Sequence, residues 1–417
     1  MGNVVKRKIF KTYYILIAYY VAFILFAFVV DTPYNIFNGL KAIILESDLL
    51  ITDYIAIGGI GATFVNSALL SLMCIGILVY VGIKPNGSTI AALSTITGFA
   101  FFGKNILNVW PIFLGVWLYS KYQKEPFLNY VLIALFATTL SPTVTQFKYT
   151  SNFSQIGALL IGICFGVVIG FILPPITSYC LKLHQGYNLY NTGFAAGLLG
   201  TVLMSILRAF GIDFKTRLVW STGNNLIFGI LLIVFFSSMI LIGYCLDKNS
   251  FKKFKELCRQ SGRLISDFYI IYGDGAVFVN MGILGILSTL YILMVGGDLN
   301  GPTIGGIFTV AGFSGFGKHP KNTIPIVLGT ALCSMLNIWK INSPQMVLSA
   351  LFSTTLAPIA GQFGWLYGII AGFIHVCIVA NTGFLHGGLN LYNNGFAGGI
   401  VAIFLIPLIT SFRKDDK

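Results

Sequence analysis

The stretch "HQGYNLYNTGFAAG", which starts at His184, returns as "HGGLNLYNNGFAGG" at His386. Its chemistry is that of carboxamides and glycines. Each Asn side chain both donates and accepts hydrogen bonds, and glycine permits unwound backbone and close helix approach. Such groups are suited to solvating something polar. After each motif an apolar run begins, which places Asn191 and Asn393 at helix N-termini, where backbone N–H groups and the positive dipole end favour an anion or the oxygen of a dipolar solute. Asn188, Asn191, Asn390 and Asn393 are therefore candidates to line a central site or constriction. The alternative is that they cap helices and bond across an internal interface.

Other polar residues recur at equivalent places: Asn66 with Asn280, Thr89 with Thr303, Gln146 with Gln362, and Lys104 with Lys318. The Asn, Thr and Gln pairs are further candidate pore liners. The lysines close short helices, where such a side chain ordinarily snorkels to the membrane surface; an electrostatic role toward a solute is the other possibility. Asp53 and Asp267 precede helices and read as N-terminal caps. Asp274 stands where the first copy has Ile60, and this break in symmetry makes it a candidate ion- or proton-coupling carboxylate. His184, His386 and the scattered cysteines lack metal-ligand spacing, so neither metal nor cofactor is expected.

The elements that must carry these residues are membrane helices. Of 417 residues 56% are hydrophobic and 9% charged, against roughly a quarter charged in a soluble domain. Uncharged runs cover residues 12–30, 54–83, 149–181, 218–246 and 341–412, and about 20 apolar residues suffice for one crossing. The alternating ten-residue segments of a barrel are missing, so an all-α polytopic protein is expected. The amino-terminal apolar run is long for a secretory signal and lacks a small-x-small cleavage site, which makes it a retained first helix.

The chain is also duplicated. "ITDYIAIGGIGATFVN" from Ile51 aligns with "ISDFYIIYGDGAVFVN" from Ile265, and the match continues without a gap to Gly115 and Gly329. Identities at Asn, Asp, Lys and Pro cannot arise from shared hydrophobicity. "LFATTLSPTVTQF" then pairs with "LFSTTLAPIAGQF". Two repeats, 1–214 and 215–417, form one membrane domain with about five to seven membrane helices each. "PNGSTIAALSTITGFAFFGK" and "LNGPTIGGIFTVAGFSGFGK" each predict a short helix capped by Asn and closed near Gly103 or Gly317, too short to cross and therefore re-entrant or broken. Pro142 and Pro358 predict a second break.

Charge sets the orientation. The connection 31–53 carries one basic and four acidic residues, whereas its counterpart 247–267 carries six basic and three acidic. Basic connections prefer the cytoplasm. Opposite signs at equivalent positions predict inverted repeats, with Lys6, Arg7, Lys8 and Lys11 at one end and "RKDDK" at the other both cytoplasmic in an inner membrane. Lys148, Lys215 and Arg217 would then face outward against the rule. The net charge of +13 fits anionic lipid at the basic stretch 252–263 and gives no reason to expect nucleic acid.

The paired NLYNxGFAxG and NGxTI…GFxxFGK motifs resemble a family of bacterial multi-pass membrane proteins of unknown function that carries them twice, over essentially the whole chain. A looser likeness is to urea-channel-type inverted-repeat permeases, whose Asn-Gly loops "GYN" at Gly186 and "GLN" at Gly388 are similar to; no binding residue carries over from them. Inverted repeats imply a permease or channel for a small polar or anionic solute moving between the halves. No GxxxxGK[ST] loop is present, so coupling to ATP in this chain is not expected. The alternatives are a membrane-embedded enzyme, for which only isolated residues such as His375 offer themselves, or a partner or sensor subunit. A non-enzymatic protein in contact with the bilayer and a small solute or ion is the expectation, with homo-oligomerisation left open.

Overall fold

The computed structural model describes residues 2–149, 154–214, 216–264, 266–336 and 339–412, with side chains from residue 11 onward. The side chains of Lys6, Arg7 and Lys8, and Lys215 and "RKDDK", on which the orientation partly rests, lie outside the described residues.

The first repeat comprises α1 (Gly2–Val30), α2 (Pro33–Leu45), α3 (Tyr54–Val81), α4 (Gly87–Phe99), α5 (Trp110–Tyr122), α6 (Val131–Ala137), α7 (Pro142–Gln146), α8 (Gln155–Leu183) and α9 (Asn191–Ala209). The second repeats the same order: α10 (Asn225–Leu246), α11 (Ser250–Leu257), α12 (Phe268–Met294), α13 (Gly301–Gly312), α14 (Pro320–Leu336), α15 (Pro344–Ser353), α16 (Ala357–Phe363), α17 (Trp365–Thr382) and α18 (Asn393–Phe412). Among the described residues nine helices are long and apolar enough to cross a bilayer. This is a multi-pass membrane protein made of two repeats.

Local details follow the duplication. Both α3 and α12 are kinked at equivalent glycines, Gly59 at φ 81° and Gly273 at φ 84°, a conformation in which a Cβ would clash with the following carbonyl. Beyond the second kink, Asp274 is half-buried and accepts from the N–H of Gly275 at 2.9 Å where the helix resumes. Asn86 and Asn300 cap α4 and α13 in reciprocal boxes with Thr89 and Thr303. The breaks at the TTL stretches are short 3-10 turns, Thr138–Leu140 and Thr354–Leu356, that separate α6 from α7 and α15 from α16.

At the centre, α4 and α13 lie antiparallel. A Cβ on Gly98 would stand 2.5 Å from the Gly305 carbonyl oxygen, and one on Gly305 2.5 Å from that of Gly98. The start of α4 at Gly87 meets Gly315 just beyond α13, and the start of α13 at Gly301 meets Phe101 just beyond α4. Equivalent helices packed head to tail require a two-fold axis perpendicular to both, which is the inversion of topology that the charge pattern implies. At 13 and 12 residues these helices span about 20 Å, less than the roughly 30 Å core. Asp267, which precedes α12, accepts from Gly87 N at 3.0 Å, and Asp53, which precedes α3, accepts from Gly301 N at 3.1 Å. Each short helix thus begins on a carboxylate supplied by the other repeat, where the positive end of its dipole meets a negative charge.

Candidate functional site

Helices α9 and α18 meet on the same axis. Their equivalent glycines touch: a Cβ on Gly193 would lie 2.8 Å from Tyr392 Cβ, and one on Gly395 would lie 2.9 Å from Tyr190 Cβ. The glycine two residues past each NLYN is what lets the two helix starts cross. Asn188 and Asn390, both fully buried, hold the crossing together. Asn188 Nδ2 donates to Gly395 O at 3.0 Å and its Oδ1 accepts from Thr355 Oγ1 at 2.5 Å. Asn390 Nδ2 donates to Gly193 O at 3.2 Å and its Oδ1 accepts from Thr139 Oγ1 at 2.8 Å. All four bonds pass between the repeats.

The second asparagine of each motif works within its own repeat. Asn191 Oδ1 pairs with His184 Nε2 at 2.8 Å and its Nδ2 donates to Thr177 O at 3.0 Å. Asn393 Oδ1 pairs with His386 Nε2 at 2.9 Å and takes a further bond from Thr382 Oγ1 at 2.9 Å. In both histidines Nδ1 accepts a backbone N–H, from Asn188 or Asn390. Nε2 therefore carries the proton that is given to the Asn oxygen.

A cavity of about 350 Å³ lies on the axis beside this crossing. Equivalent pairs line it: Thr95 with Thr309, Phe99 with Phe313, Tyr190 with Tyr392, and Gly193 with Gly395. The cavity is nevertheless one-sided. Leu132 and Ile133 line it and are half-buried, whereas their counterparts Leu348 and Ser349 are buried and do not. Ser178, Leu181 and Leu264 complete the open side. Leu264 N donates to Gly186 O at 3.1 Å, so this side lies next to the basic connection that carries α11.

Two lysines stand against the cavity wall. Lys318 Nζ donates to Tyr190 Oη at 2.5 Å and to Thr354 Oγ1 at 2.8 Å, and Lys104 Nζ donates to Tyr392 Oη at 2.5 Å. Each ammonium also lies over the ring of that tyrosine, at 4.4 and 4.6 Å from its centroid. Both lysines are fully buried and neither snorkels. Among the described residues neither forms an ion pair; the three salt bridges there involve Arg208, Arg217 and Lys253.

The other candidates are spread through the scaffold. Asn66 clamps the end of α4 through Ala100 O at 2.7 Å and Lys104 O at 3.0 Å, and Asn280 does the same for α13 through Ser314 O and Lys318 O. Thr89 and Thr303 are occupied in the capping boxes. Gln146 accepts from Ser47 Oγ at 2.9 Å, and Gln362 is exposed. Of the predicted residues, Asn191 alone is among those lining the cavity. Sequence reasoning missed Tyr190 and Tyr392, although the repeated Tyr of NLYN was in view. It also missed Thr177 and Asn394, which carry no such signal because their counterparts are Val379 and Thr192.

A family model described as a protein of unknown function (DUF1576) matches residues 32–209 and 246–411, and the chain belongs to that family. No curated protein and no solved structure matches it.

Proposed function

We propose that this chain, as a member of a family whose description assigns no activity, is a permease that moves a small solute between its two inverted halves. The observation that carries this reading is the cavity on the pseudo-two-fold axis, lined by equivalent residues from both repeats. Inverted-repeat carriers place their solute site there, because rocking one repeat against the other then exposes it to either side in turn. The difference between Leu132 and Ile133 on one side and Leu348 and Ser349 on the other is what such a carrier has when open on one side only. At about 350 Å³ the cavity is at the low end of the roughly 300–1,000 Å³ of small-molecule pockets, which favours a small solute. The charge pattern orients the protein in the inner membrane with both ends and α11 in the cytoplasm, so the open side faces inward.

The test is flux into liposomes that contain the purified protein, followed by osmotic swelling over a panel of small neutral and anionic solutes, with and without imposed Na⁺ and pH gradients. Selective entry is expected. A leucine-to-tryptophan change at the open side, Leu181→Trp, should reduce it severalfold. Absence of flux for every solute in folded protein overturns the reading.

A further inference from the structure

Three of the hydroxyls at the cavity, those of Thr95, Ser178 and Thr309, have given their protons to backbone carbonyls of their own helices, but a second set of groups there has hydrogen bonds still to give. Thr177 is 5% exposed and lines the cavity, and its Oγ1 has no partner. Helix α9 reaches the cavity with its first turn, Asn191 to Gly193, and has no side-chain cap. Its leading N–H groups are therefore without an intrahelical acceptor. Tyr190 and Tyr392 each accept from a lysine, which leaves the phenolic proton to donate; the Thr354 hydroxyl stands beside that of Tyr190. Asn394 Oδ1 is an unpartnered acceptor, on an amide that can present either face. No carboxylate is among the described residues that line the cavity. Phe99, Phe136, Phe313, Phe316 and Phe352 make up much of the remaining wall.

From this we propose that the cavity takes a small organic monocarboxylate with an apolar body, its carboxylate against Thr177 Oγ1 and the start of α9 and its body among the phenylalanines. The inference rests on the reading of the cavity as the solute site and adds the chemical class. A carboxylate supplies the acceptors that the donors lack, and its charge favours the protonated form of two buried lysines that have no counter-ion among the described residues. A neutral solute of the same shape does only the first of these. A dicarboxylate would carry a second charge into an aromatic wall with nothing there to receive it.

The experiment is equilibrium binding of radiolabelled benzoate to the full-length protein in detergent, with benzamide as the neutral isostere. Saturable benzoate binding is expected, with benzamide at least about tenfold weaker, since a hydrogen bond to a charged group is worth about that factor or more. Thr177→Val should weaken benzoate about tenfold and leave benzamide within about threefold. Lys318→Met should abolish benzoate binding; if that variant does not fold, Tyr190→Phe takes its place, with an expected loss of at least about fivefold. Absence of benzoate binding, equal affinity for the two ligands, or unchanged binding in the folded variants each overturns the proposal. Flux measured on the same preparation separates the two readings. Benzoate binding without transport of any solute would remove the permease and keep the site, and selective transport of neutral solutes without benzoate binding would do the reverse.

Discussion

Lys318 Nζ and Tyr190 Oη are 2.5 Å apart across the boundary between the repeats, and the equivalent bond from Lys104 to Tyr392 has the same length. Each donor comes from the loop after a short central helix, and each acceptor is the Tyr of the opposite NLYN motif. The short helices and the crossing of α9 with α18 are tied into one unit by these two bonds.

That unit is costly to form. Removing an ammonium from water without a counter-ion costs several kcal/mol, whereas a hydrogen bond to a charged group returns about 1.5–3 kcal/mol. Lys104→Met is therefore expected to leave thermal stability unchanged or raised. Tyr392→Phe, which keeps the ammonium and removes its acceptor, should lower stability by about 2 kcal/mol. Thermal unfolding of the two variants in detergent checks the opposite signs. A lysine variant that is the less stable of the two would show that the charge is solvated in some other way.

The central glycines give a second expectation. A Cβ on Gly98 would sit 2.5 Å from the backbone oxygen of Gly305, whereas one on Gly76 would meet nothing within 4 Å. Gly98→Ala forces two helices apart and should cost about 1–3 kcal/mol. Gly76→Ala lies on an exposed helical face and should stabilise by about 0.5–1 kcal/mol. A side-by-side denaturation series measures both, and equal effects would mean that α4 and α13 do not pack as closely as described.

The carboxylates that start the short helices should respond unequally. Asp53 receives Ile55 N and Gly301 N on Oδ1 and both Ser221 N and Ser221 Oγ on Oδ2. An asparagine in its place turns an NH₂ group toward donors, so Asp53→Asn should destabilise by about 2–4 kcal/mol. Among the described residues Asp267 receives Gly87 N, shared between both oxygens at 3.0 Å, and Ile270 N on Oδ1. Asp267→Asn can keep these bonds with one oxygen and should cost about 1 kcal/mol. The expected order, with the Asp53 variant the less stable, is read from melting temperatures.

What the sequence made legible was whatever depends on neighbours in the chain. Asn86 and Asn300 cap helices because the box closes within four residues, and Pro142 and Pro358 stand just after the 3-10 turns that break their helices, although Pro174, Pro325 and Pro407 lie inside helices that run on. The duplication and its inversion were also visible, in identities at polar positions and in charge of opposite sign. The cavity was not. Its walls come from residues whose meeting depends on how the repeats cross, and the crossing is set by contacts such as Gly193 with Gly395 that no local pattern specifies. The same cause explains the asparagines: Asn188 reads as a solute ligand in isolation, and only the position of Gly395 and Thr355 shows that its amide is already engaged. Lys104 and Lys318 resemble snorkelling residues for as long as the membrane depth of the short helices is unknown.

The inverted arrangement itself can be tested from outside the protein. Helices α2 and α11 hold equivalent places, and Asn38 and Lys252 are exposed on them. A two-fold axis in the membrane plane puts these positions on opposite faces, with α11 on the cytoplasmic face according to its charge. After the exposed cysteines Cys164 and Cys245 are replaced by serine, Asn38→Cys should react with a membrane-impermeant maleimide in intact cells. Lys252→Cys should react only once the membrane is opened. Labelling of both from the same side would place the repeats in parallel, and a site shared between inverted halves could not then exist.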